Sequence, residues 1–506
     1  MNKKITQLIP FAIFIILLSL MRSDIFEWDF FKIPINDFSA NDLLIQDAKY
    51  FKLWHGNYSR VGFYHPGPFY FQIMAFSEIL FNDFLSLIDS HVASHVFGWL
   101  LYAASALAIF FNSLNLLLNS KIKASAALLA VVIISQLSIG AEEYYLNQFF
   151  ILTPWPPFMY MVTMLIFISS LIYISNKQTM GIVYFIFSTL TLIHGHASFI
   201  GLVPIIIAST AIFFIFFGKR LIDLKSFFSI IVVDKLVIFT SLALITLFSL
   251  PIAADAFFNW PGQIPNYFSY AGNERKIYSP YEYLVYAQGF WHWSFMFGFI
   301  GLFIFFNKAN SSLLNISALI IFSVLPAALF YLVKGLDTLA YRYPLFWIAP
   351  VLSTASVLSF IHFIDKMEMR FTNSVLMFLV FILIDAKNLG FKKLQEAIPG
   401  EDYHNIINKI KEESLNSQVI ININKQDVFP VVMATSIISI DKRIGSKSFC
   451  VESKSWDIAY TVQYRCDGIN GKYQKFIYLT KGDDYDHGQL MFSVGDLRGY
   501  ILASIN

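Results

Sequence analysis

The sequence contains little charge and little cysteine for its length. Only 14% of its 506 residues are charged, and 36 lysines and arginines nearly balance 34 aspartates and glutamates, for a net charge of +2. A soluble domain usually carries about 25% charged residues, so an ordinary soluble protein is excluded, and the charge balance gives no sign of nucleic-acid binding. The chain also lacks a glycine-rich phosphate loop, a zinc-ligand spacing and a nucleophile elbow. These absences argue against a nucleotide-fuelled mechanism.

The sequence is rich in long apolar runs. Hydrophobic residues make up 57% of the chain, and 54 of all residues are phenylalanine. A helix needs roughly 20 apolar residues to cross about 30 Å of hydrocarbon. On that criterion the sequence predicts an α-helical polytopic membrane protein with about eleven transmembrane helices, centred near residues 13, 105, 130, 165, 187, 207, 244, 297, 321, 351 and 379.

The positions of basic residues predict the orientation in the membrane. Cytoplasmic loops keep an excess of lysine and arginine. From Lys3 and Lys4 onwards, basic residues fall in alternate loops, at Lys121, Lys123, Lys177, Lys219, Arg220, Lys225, Lys308, Lys366 and Arg370. We therefore expect a multi-pass protein of the inner (plasma) membrane with a cytoplasmic N-terminus. The odd number of spans places the C-terminal segment on the extracytoplasmic side.

A change of composition near residue 388 predicts two domains, a transmembrane domain over 1–387 and a soluble, extracytoplasmic α+β domain over 388–506. In the second, apolar runs shorten, and the stretches "SQVIININ", "PVVMATSIISI" and "KFIYLT" predict strands. The only two cysteines, Cys450 and Cys466, lie there. In an oxidising compartment they can form a disulfide, and two buried free thiols are the alternative.

The first outer loop, residues 22–90, is too long to be a mere connector. Within it, "NDLLIQDAKYFKLWHG" predicts a helix that Asn41 or Asp42 caps and Gly56 ends. Its apolar residues recur at helical spacing, which is typical of an amphipathic helix lying along the membrane surface. The pattern places a carboxylate at the outer face of the membrane.

A rigid turn follows this helix. The stretch "GFYHPGPFYF", residues 62–71, combines two prolines, two glycines and a histidine with five aromatic rings. The prolines fix the backbone, and the glycine between them relieves the crowding of successive rings. The turn is therefore expected to hold Tyr64 and His65 at a defined place near the bilayer surface.

Together, "DLLIQD" and the following "GNYSRVGFYHPGPFYF" resemble the first outer loop of the GT-C superfamily of membrane glycosyltransferases. The resemblance is to a bacterial group with a His-Pro-Gly-Pro motif, related to protein mannosyltransferases and lipid A aminoarabinose transferases. Two later stretches agree, "LTPWPPFMYM" at 152–161 and "YRYPLFWIAP" at 341–350. The sequence departs from the group's pattern at Pro156, where asparagine is usual.

The resemblance implies a GT-C architecture for residues 1–387 and a sugar transfer on the outer face. The donor would be a sugar on a polyprenyl phosphate, and the acceptor an envelope glycan, lipid or protein. Asp42 would be the catalytic carboxylate, with Asp47 as its backup, and Arg342 and Arg60 would hold the departing phosphate. The resemblance leaves open a divalent cation, Mg²⁺ or Mn²⁺, as cofactor, although no metal ligands are assigned.

Six further side chains are candidates for substrate binding: Tyr64, His65, Glu142, Glu143, His194 and His196. Each candidate also has a purely structural interpretation. Asp42 can be a helix cap and His65 can stabilise the turn, and the two glutamates can simply be solvated. His194 and His196 can cap a helix end, and Arg342 can anchor a span at the interface.

Two other classes of protein compete with a glycosyltransferase. A flippase or transporter for a lipid-linked glycan would need charged or broken helices near mid-membrane, often in repeated halves, and the sequence shows neither. A polysaccharide polymerase or ligase would usually carry its large outer loop late in the chain. Here the large outer loop lies between the first two predicted spans.

Overall fold

The computed structural model describes residues 37–366, except 60–61, 89, 140–149, 218–233, 273–276, 290–293, 307–310, 337–338 and 340–341. Later in the chain it describes 405–406, 408–410, 412, 419–423, 428–443, 445, 449–452, 464–466, 475–481, 489–494 and 497–502. These residues divide into two compact units. The membrane unit contains 99–366, and the loop–tail unit combines 37–98 with the segments after 404. The predicted domain boundary at residue 387 lies outside the described residues.

Over its described residues, the first outer loop forms two helices, α1 (Asp37–Lys49) and α2 (Phe69–Ser77), and α2 continues as a π-helical turn over Glu78–Phe84. The predicted bounds of α1 were wrong at both ends. The helix begins upstream of Asp42, so Asp42 lies in its second turn and caps nothing. It ends at Lys49 because Phe51 has a φ of +55°, which does not continue a right-handed helix.

The prediction that α1 is amphipathic was also wrong. Residues 39–46 are buried all round the helix, including the polar side chains of Ser39, Asn41, Asp42 and Gln46. The exposed aromatic residues, Tyr50 and Phe51, lie beyond its end. The polar side chains of α1 therefore face protein rather than water, so each needs a partner within the fold.

Eleven helices follow in the described residues up to 366. They are α3 (His91–Leu118), α4 (Lys121–Ile139), α5 (Pro156–Ser175), α6 (Met180–Gly195), α7 (Ser198–Phe217), α8 (Lys235–Phe258), α9 (Ile264–Gly272), α10 (Pro280–Gln288), α11 (Phe295–Phe306), α12 (Ser312–Phe330) and α13 (Ala349–Lys366). A π-helical turn, Tyr331–Gly335, extends α12, and a 3₁₀-helix, Tyr343–Ile348, precedes α13.

Seven of these helices are long and apolar enough to cross a membrane: α3, α4, α5, α7, α8, α12 with its extension, and α13 with its 3₁₀ turn. The helices α6 and α11 are apolar but shorter. All nine coincide with predicted spans, whereas the spans predicted near residues 13 and 379 lie outside the described residues. The chain is a helical, multi-pass membrane protein.

Burial distinguishes the central helix from the peripheral ones. In the most apolar 18 residues of α5, 89% of the residues are buried inside the protein, against 17% in the corresponding stretch of α8. Side chains such as Phe239 and Leu247 of α8 are more than half exposed. Exposed apolar side chains of this kind are suited to lipid, so α8 lies at the periphery and α5 forms the core of the membrane unit.

The C-terminal part contains a five-stranded sheet and one long described helix. In chain order the elements are β1 (Val419–Ile423), α14 (Val428–Arg443), β2 (Phe449–Glu452), β3 (Lys475–Lys481), β4 (Gln489–Val494) and β5 (Leu497–Leu502). The spatial order is β2-β1-β3-β5-β4. Strand β1 is parallel to both neighbours, whereas β5 is antiparallel to β3 and β4. This is an α+β arrangement.

Two of the three predicted strands are confirmed, since "SQVIININ" contains β1 and "KFIYLT" lies in β3. The prediction for "PVVMATSIISI" was wrong because this stretch lies within α14. A continuous apolar run does not distinguish a buried strand from a buried helix. Pro430 lies in the first turn of α14, where a missing N–H breaks no helical hydrogen bond.

Cys450 of β2 forms a disulfide with Cys466, and the two are 16 positions apart. Next to it, Arg465 forms an isolated parallel bridge with Val451. The disulfide therefore fixes the segment 464–466 against the edge strand β2.

Removal of this disulfide should destabilise the loop–tail unit. Closing a loop of about 15 residues stabilises a fold by about 3 kcal/mol. We expect Cys450→Ser/Cys466→Ser to make the C-terminal part more sensitive to limited proteolysis in detergent, and reduced wild-type protein should behave like the double variant. Equal protease resistance of oxidised wild type and variant would contradict this expectation.

Candidate active site

Four elements of the loop–tail unit bring ionisable side chains together in its interior. Asp42 comes from α1, Glu78 from the π-helical turn after α2, His95 from the first turns of α3, and Arg443 from the last turn of α14. Asp42 and Glu78 are almost completely buried. We call these four residues the buried charge cluster.

The guanidinium of Arg443 bridges the two carboxylates. Its Nη2 donates to Asp42 Oδ1, and its Nε lies 3.1 Å from Asp42 Oδ2. Its Nη1 lies 2.9 Å from Glu78 Oε1, and Nη2 also lies 3.2 Å from Glu78 Oε2. The planar fork of arginine suits this two-sided grip, which a lysine could not reproduce.

The carboxylate of Asp42 has further donors besides Arg443. The side-chain amide of Gln46, one turn later in α1, donates to Oδ2 over 2.7 Å, and the hydroxyl of Ser439 donates to the same oxygen. Asp42 is 0% exposed. Both of its oxygens are thus engaged by protein donors, and a substrate could reach them only after those donors had been displaced.

Glu78 is held equally firmly. Lys49 Nζ lies 2.8 Å from its Oε1, and His95 Nε2 donates to its Oε2 over 2.6 Å. Lys49 also reaches Asp83, at 2.6 Å. Every charge of the buried charge cluster has an opposite partner, which is the condition for burying ions without a large loss of stability.

The cluster keeps both carboxylates ionised. Burial alone would raise the pKa of Asp42, but the charge and hydrogen bonds of Arg443 outweigh it and hold that pKa well below the usual range. Burial would likewise raise the pKa of Glu78, which His95 and Arg443 instead lower far below its usual value. The same carboxylates raise the pKa of Arg443 against the effect of its own burial. A carboxylate stabilised to this degree is a poor proton acceptor.

Asp47 has a different environment, although it lies only five residues further along α1. Its side chain is 29% exposed, and Lys442 Nζ lies 2.7 Å from its Oδ1. Lys442 donates a second hydrogen bond to the carbonyl of Leu43, over 3.2 Å. Asp47 sits in the last turn of α1, where the helix dipole disfavours a negative charge, so the ammonium of Lys442 offsets that cost.

The proline-rich turn packs beside Asp47. Backbone hydrogen bonds fix it, from Gly56 N to His65 O at 2.7 Å and from His65 N to Asn57 O at 2.8 Å. The ring of Tyr64 stacks on His55, with centroids 3.7 Å apart. His65 is buried, as the structural interpretation of this histidine requires.

Tyr64 connects this turn to the C-terminal part. Arg465 Nη2 donates to the Tyr64 hydroxyl over 3.0 Å. Burial raises the pKa of Tyr64, Arg465 opposes that effect, and the negative charge of Asp47 adds to it. Tyr64 therefore stays a neutral phenol close to the Asp47 carboxylate.

Other predicted site residues lie in the membrane unit. Arg342 precedes the 3₁₀-helix before α13, and its guanidinium lies directly against Gly289, where a side chain would collide with it. His194 Nε2 donates to the Phe248 carbonyl over 2.6 Å, and His196 follows the end of α6. Arg60, Glu142 and Glu143 lie outside the described residues.

Sequence reasoning missed four residues around Asp42 and Asp47: Glu78, His95, Lys442 and Arg443. Glu78 did carry a signal, because an acid within the apolar run "FQIMAFSEILF" is unusual unless it has a buried partner. Lys442 and Arg443 carried none, since they follow the stretch "PVVMATSIISI" that we predicted as a strand.

The described residues do not fit a divalent cation at the two buried carboxylates. None of their histidine, cysteine, aspartate and glutamate side chains form a group of three or more that could hold a metal ion. The guanidinium of Arg443 already occupies the space between Asp42 and Glu78. We therefore derive no chemical step through a metal at this pair.

Solved structures that resemble this chain include two membrane proteins. The first is ArnT from Cupriavidus metallidurans, whose crystal structure contains undecaprenyl phosphate; it matches with a TM-score of 0.54 and 9% identity over 98% of both chains. The second is the oligosaccharyltransferase of Archaeoglobus fulgidus, in complex with Zn and sulfate, with a TM-score of 0.49 and 13% identity. That match covers 84% of this chain and 61% of the oligosaccharyltransferase, so this chain spans about three-fifths of its length.

The match to ArnT shows a fold. The chain is a polytopic membrane protein with the fold of the GT-C membrane glycosyltransferases, as its first outer loop predicted. The match to ArnT covers almost the whole of both chains. No family model and no curated protein matches the sequence.

The buried charge cluster should behave as one energetic unit. Removing one partner of a buried ion pair typically costs 3–5 kcal/mol, because the other charge stays buried without compensation. We expect Arg443→Gln and Asp42→Asn each to lower the unfolding temperature in detergent strongly. The double variant should be destabilised by less than the sum of the two, by at least about 1 kcal/mol. Additive losses would show that the two side chains do not interact.

The cluster also predicts a dependence of stability on pH. The pKa values of Asp42 and Glu78 are lowered in the folded protein, so their stabilisation is complete above the ordinary carboxyl pKa and is lost as the pH falls through the folded values. We expect the unfolding temperature to fall below about pH 4. The unfolding temperature of Arg443→Gln should fall less steeply with pH than that of wild type. Equal pH dependence in Arg443→Gln and wild type would show that Arg443 does not stabilise the two ionised carboxylates.

Proposed function

We propose that the protein is an outer-face glycosyltransferase that moves a sugar from a polyprenyl-phosphate donor to an envelope glycan, lipid or protein acceptor. Its GT-C fold supports the reaction class. The undecaprenyl phosphate in the ArnT structure supports the donor class, because this chain shares the ArnT fold over 98% of its length. An inner-membrane location with the first outer loop facing the extracytoplasmic side follows from the distribution of basic residues.

The reaction needs two kinds of groups. A carboxylate must accept the proton of the acceptor hydroxyl or stabilise the positive charge that develops on the sugar. Cationic or hydrogen-bonding groups must stabilise the departing phosphate. We propose Arg342 as one of the groups for the phosphate, on the strength of its match to the late arginine of the family's pattern.

The contrast between Asp42 and Asp47 is the observation that favours Asp47 as the carboxylate that acts. Asp42 is fully buried, both its oxygens accept hydrogen bonds from protein donors, and Arg443 holds its pKa well below the usual range. Asp47 is partly exposed near Tyr64 of the proline-rich turn, and its ion pair with Lys442 involves Oδ1. We therefore propose that Asp47 meets the acceptor and that Asp42 holds the site together.

Substitution of the two aspartates should separate these roles. We expect Asp47→Asn to lower transfer by about 10²–10⁴-fold, the usual contribution of a general base, while the unfolding temperature stays close to that of wild type. The measurement is incorporation of labelled sugar into the envelope fraction of the host, with the variant's membrane level as reference.

Asp42→Asn is the matched control, because it makes the same chemical change on the same helix. We expect this variant to lose stability, and its transfer per folded molecule to exceed that of Asp47→Asn. An Asp47→Asn protein with wild-type transfer would sink the assignment of Asp47. A stable Asp42→Asn/Arg443→Gln protein without transfer would move the catalytic role to Asp42.

A further inference from the structure

We infer that Lys442 is a positioning residue for Asp47, and that the C-terminal segment thereby completes the active site. This inference rests on the proposed function, because it assigns a role around the carboxylate that acts in it. It concerns a residue about 400 positions from Asp47 in sequence, in a part of the chain to which the fold alone gives no role.

Helix α14 lies along α1 in a fixed register. Thr435 contacts Ser39 through their hydroxyls at 2.5 Å, Ser439 donates to Asp42, and Lys442 reaches Asp47 at 2.7 Å. The spacing of four and then three residues on α14 is that of one helix face. Gln46 adds a hydrogen bond to the Ser439 carbonyl, over 3.2 Å. The two helices thus meet along a continuous row of polar contacts.

Arg443 fixes this register at the C-terminal end of α14, next to Lys442. Its guanidinium is tied to Asp42 and Glu78, so the last turn of α14 cannot slide or rotate without breaking the buried charge cluster. Lys442 is the neighbouring residue and points to a different part of α1. The buried pair therefore fixes where the ammonium of Lys442 stands.

The contacts of Lys442 suit a positioning role better than a surface ion pair. An exposed pair contributes little and has no fixed geometry, whereas the Lys442 side chain is 13% exposed and a second hydrogen bond, to the Leu43 carbonyl, holds its ammonium. Of its three N–H donors, these contacts use two. Among the described residues, neither the third N–H of Lys442 nor Asp47 Oδ2 has a hydrogen-bond partner, so both are available to a substrate.

The consequence for the reaction is geometric. Lys442 holds Asp47 through Oδ1, which leaves Oδ2 to accept the proton of the acceptor hydroxyl. As the acceptor oxygen bonds to the anomeric carbon of the sugar, the bond from that carbon to the donor phosphate breaks, and the polyprenyl phosphate leaves with the electron pair. Without the ammonium, the aspartate side chain can adopt other rotamers and is correctly placed for only part of the time. Catalytic turnover should therefore suffer more than substrate binding.

The test compares Lys442→Gln, Lys442→Arg and the matched control Lys123→Gln in the full-length protein. Lys123 forms a similar lysine–aspartate pair, with Asp365 at 2.6 Å, in the membrane unit. We expect Lys442→Gln to lower kcat about tenfold or more with little change in the KM for the acceptor. Lys442→Arg should recover most of the loss, and Lys123→Gln should transfer sugar like wild type. In an Asp47→Asn background, Lys442→Gln should have no further effect.

A cross-link tests the geometry without reference to activity. We expect Ser39→Cys/Thr435→Cys to form a disulfide in isolated membranes. A protease site inserted between α5 and α6 separates the two positions in the chain, so on a non-reducing gel the two fragments should stay together only if the disulfide has formed. Failure to cross-link overturns the inference, because α14 would not lie on α1. Equal kcat in Lys442→Gln and Lys123→Gln, with wild-type transfer intact, overturns the positioning role alone. Absence of transfer in the wild-type protein, while Ser39→Cys/Thr435→Cys forms its disulfide, overturns the proposed function and the positioning role with it.

Discussion

A guanidinium between two buried carboxylates organises the loop–tail unit. Transfer of three charges out of water is costly, and their mutual attraction offsets the cost only if the geometry is good and the remaining hydrogen-bonding groups are satisfied. Here Arg443 faces Asp42 and Glu78 together, and Gln46, Ser439, Lys49 and His95 complete their hydrogen bonds. The first outer loop on its own would bury two carboxylates with too few cations, so it needs the C-terminal helix to be stable.

The same contact limits how the chain can pass through the membrane. Helices α1 and α14 touch, so they lie on the same side, and the chain between them must cross the bilayer an even number of times. The described residues provide nine apolar helices in that interval. With each taken as one crossing, the span predicted near residue 379 makes the number even. The distribution of basic residues predicts the same topology, with both segments on the outer side.

The sequence could predict whatever depends on local pattern. Nine apolar helices followed from the lengths of apolar runs, seven of them long enough to cross a membrane, β1 and β3 followed from alternation, and the GT-C fold followed from the first outer loop. It could not predict the bounds or the burial of α1, because polar side chains such as Gln46, which are buried against protein partners, cannot be told in the sequence from the solvent-facing side of an amphipathic helix. The environment of Asp42 could not be predicted either. Its main partner, Arg443, lies 401 residues away, and the apolar run before Arg443 is compatible with a strand as well as a helix. The distinction between Asp42 and Asp47 depends on burial, which becomes visible only when α14 is in place.

The long separation of Arg443 from Asp42 has a consequence for how the protein is made. Synthesis at 5–20 residues per second needs about 20–80 seconds to cover the 401 residues between them. During that time the first outer loop has already been synthesised, but its two carboxylates lack their main counter-ion. Until Arg443 is synthesised, the carboxylates of the loop stay solvated or bound to other factors while the membrane helices are inserted one after another. The candidate active site is therefore assembled last, and a nascent chain that stalls before α14 leaves the ribosome carries the transmembrane fold without a finished site.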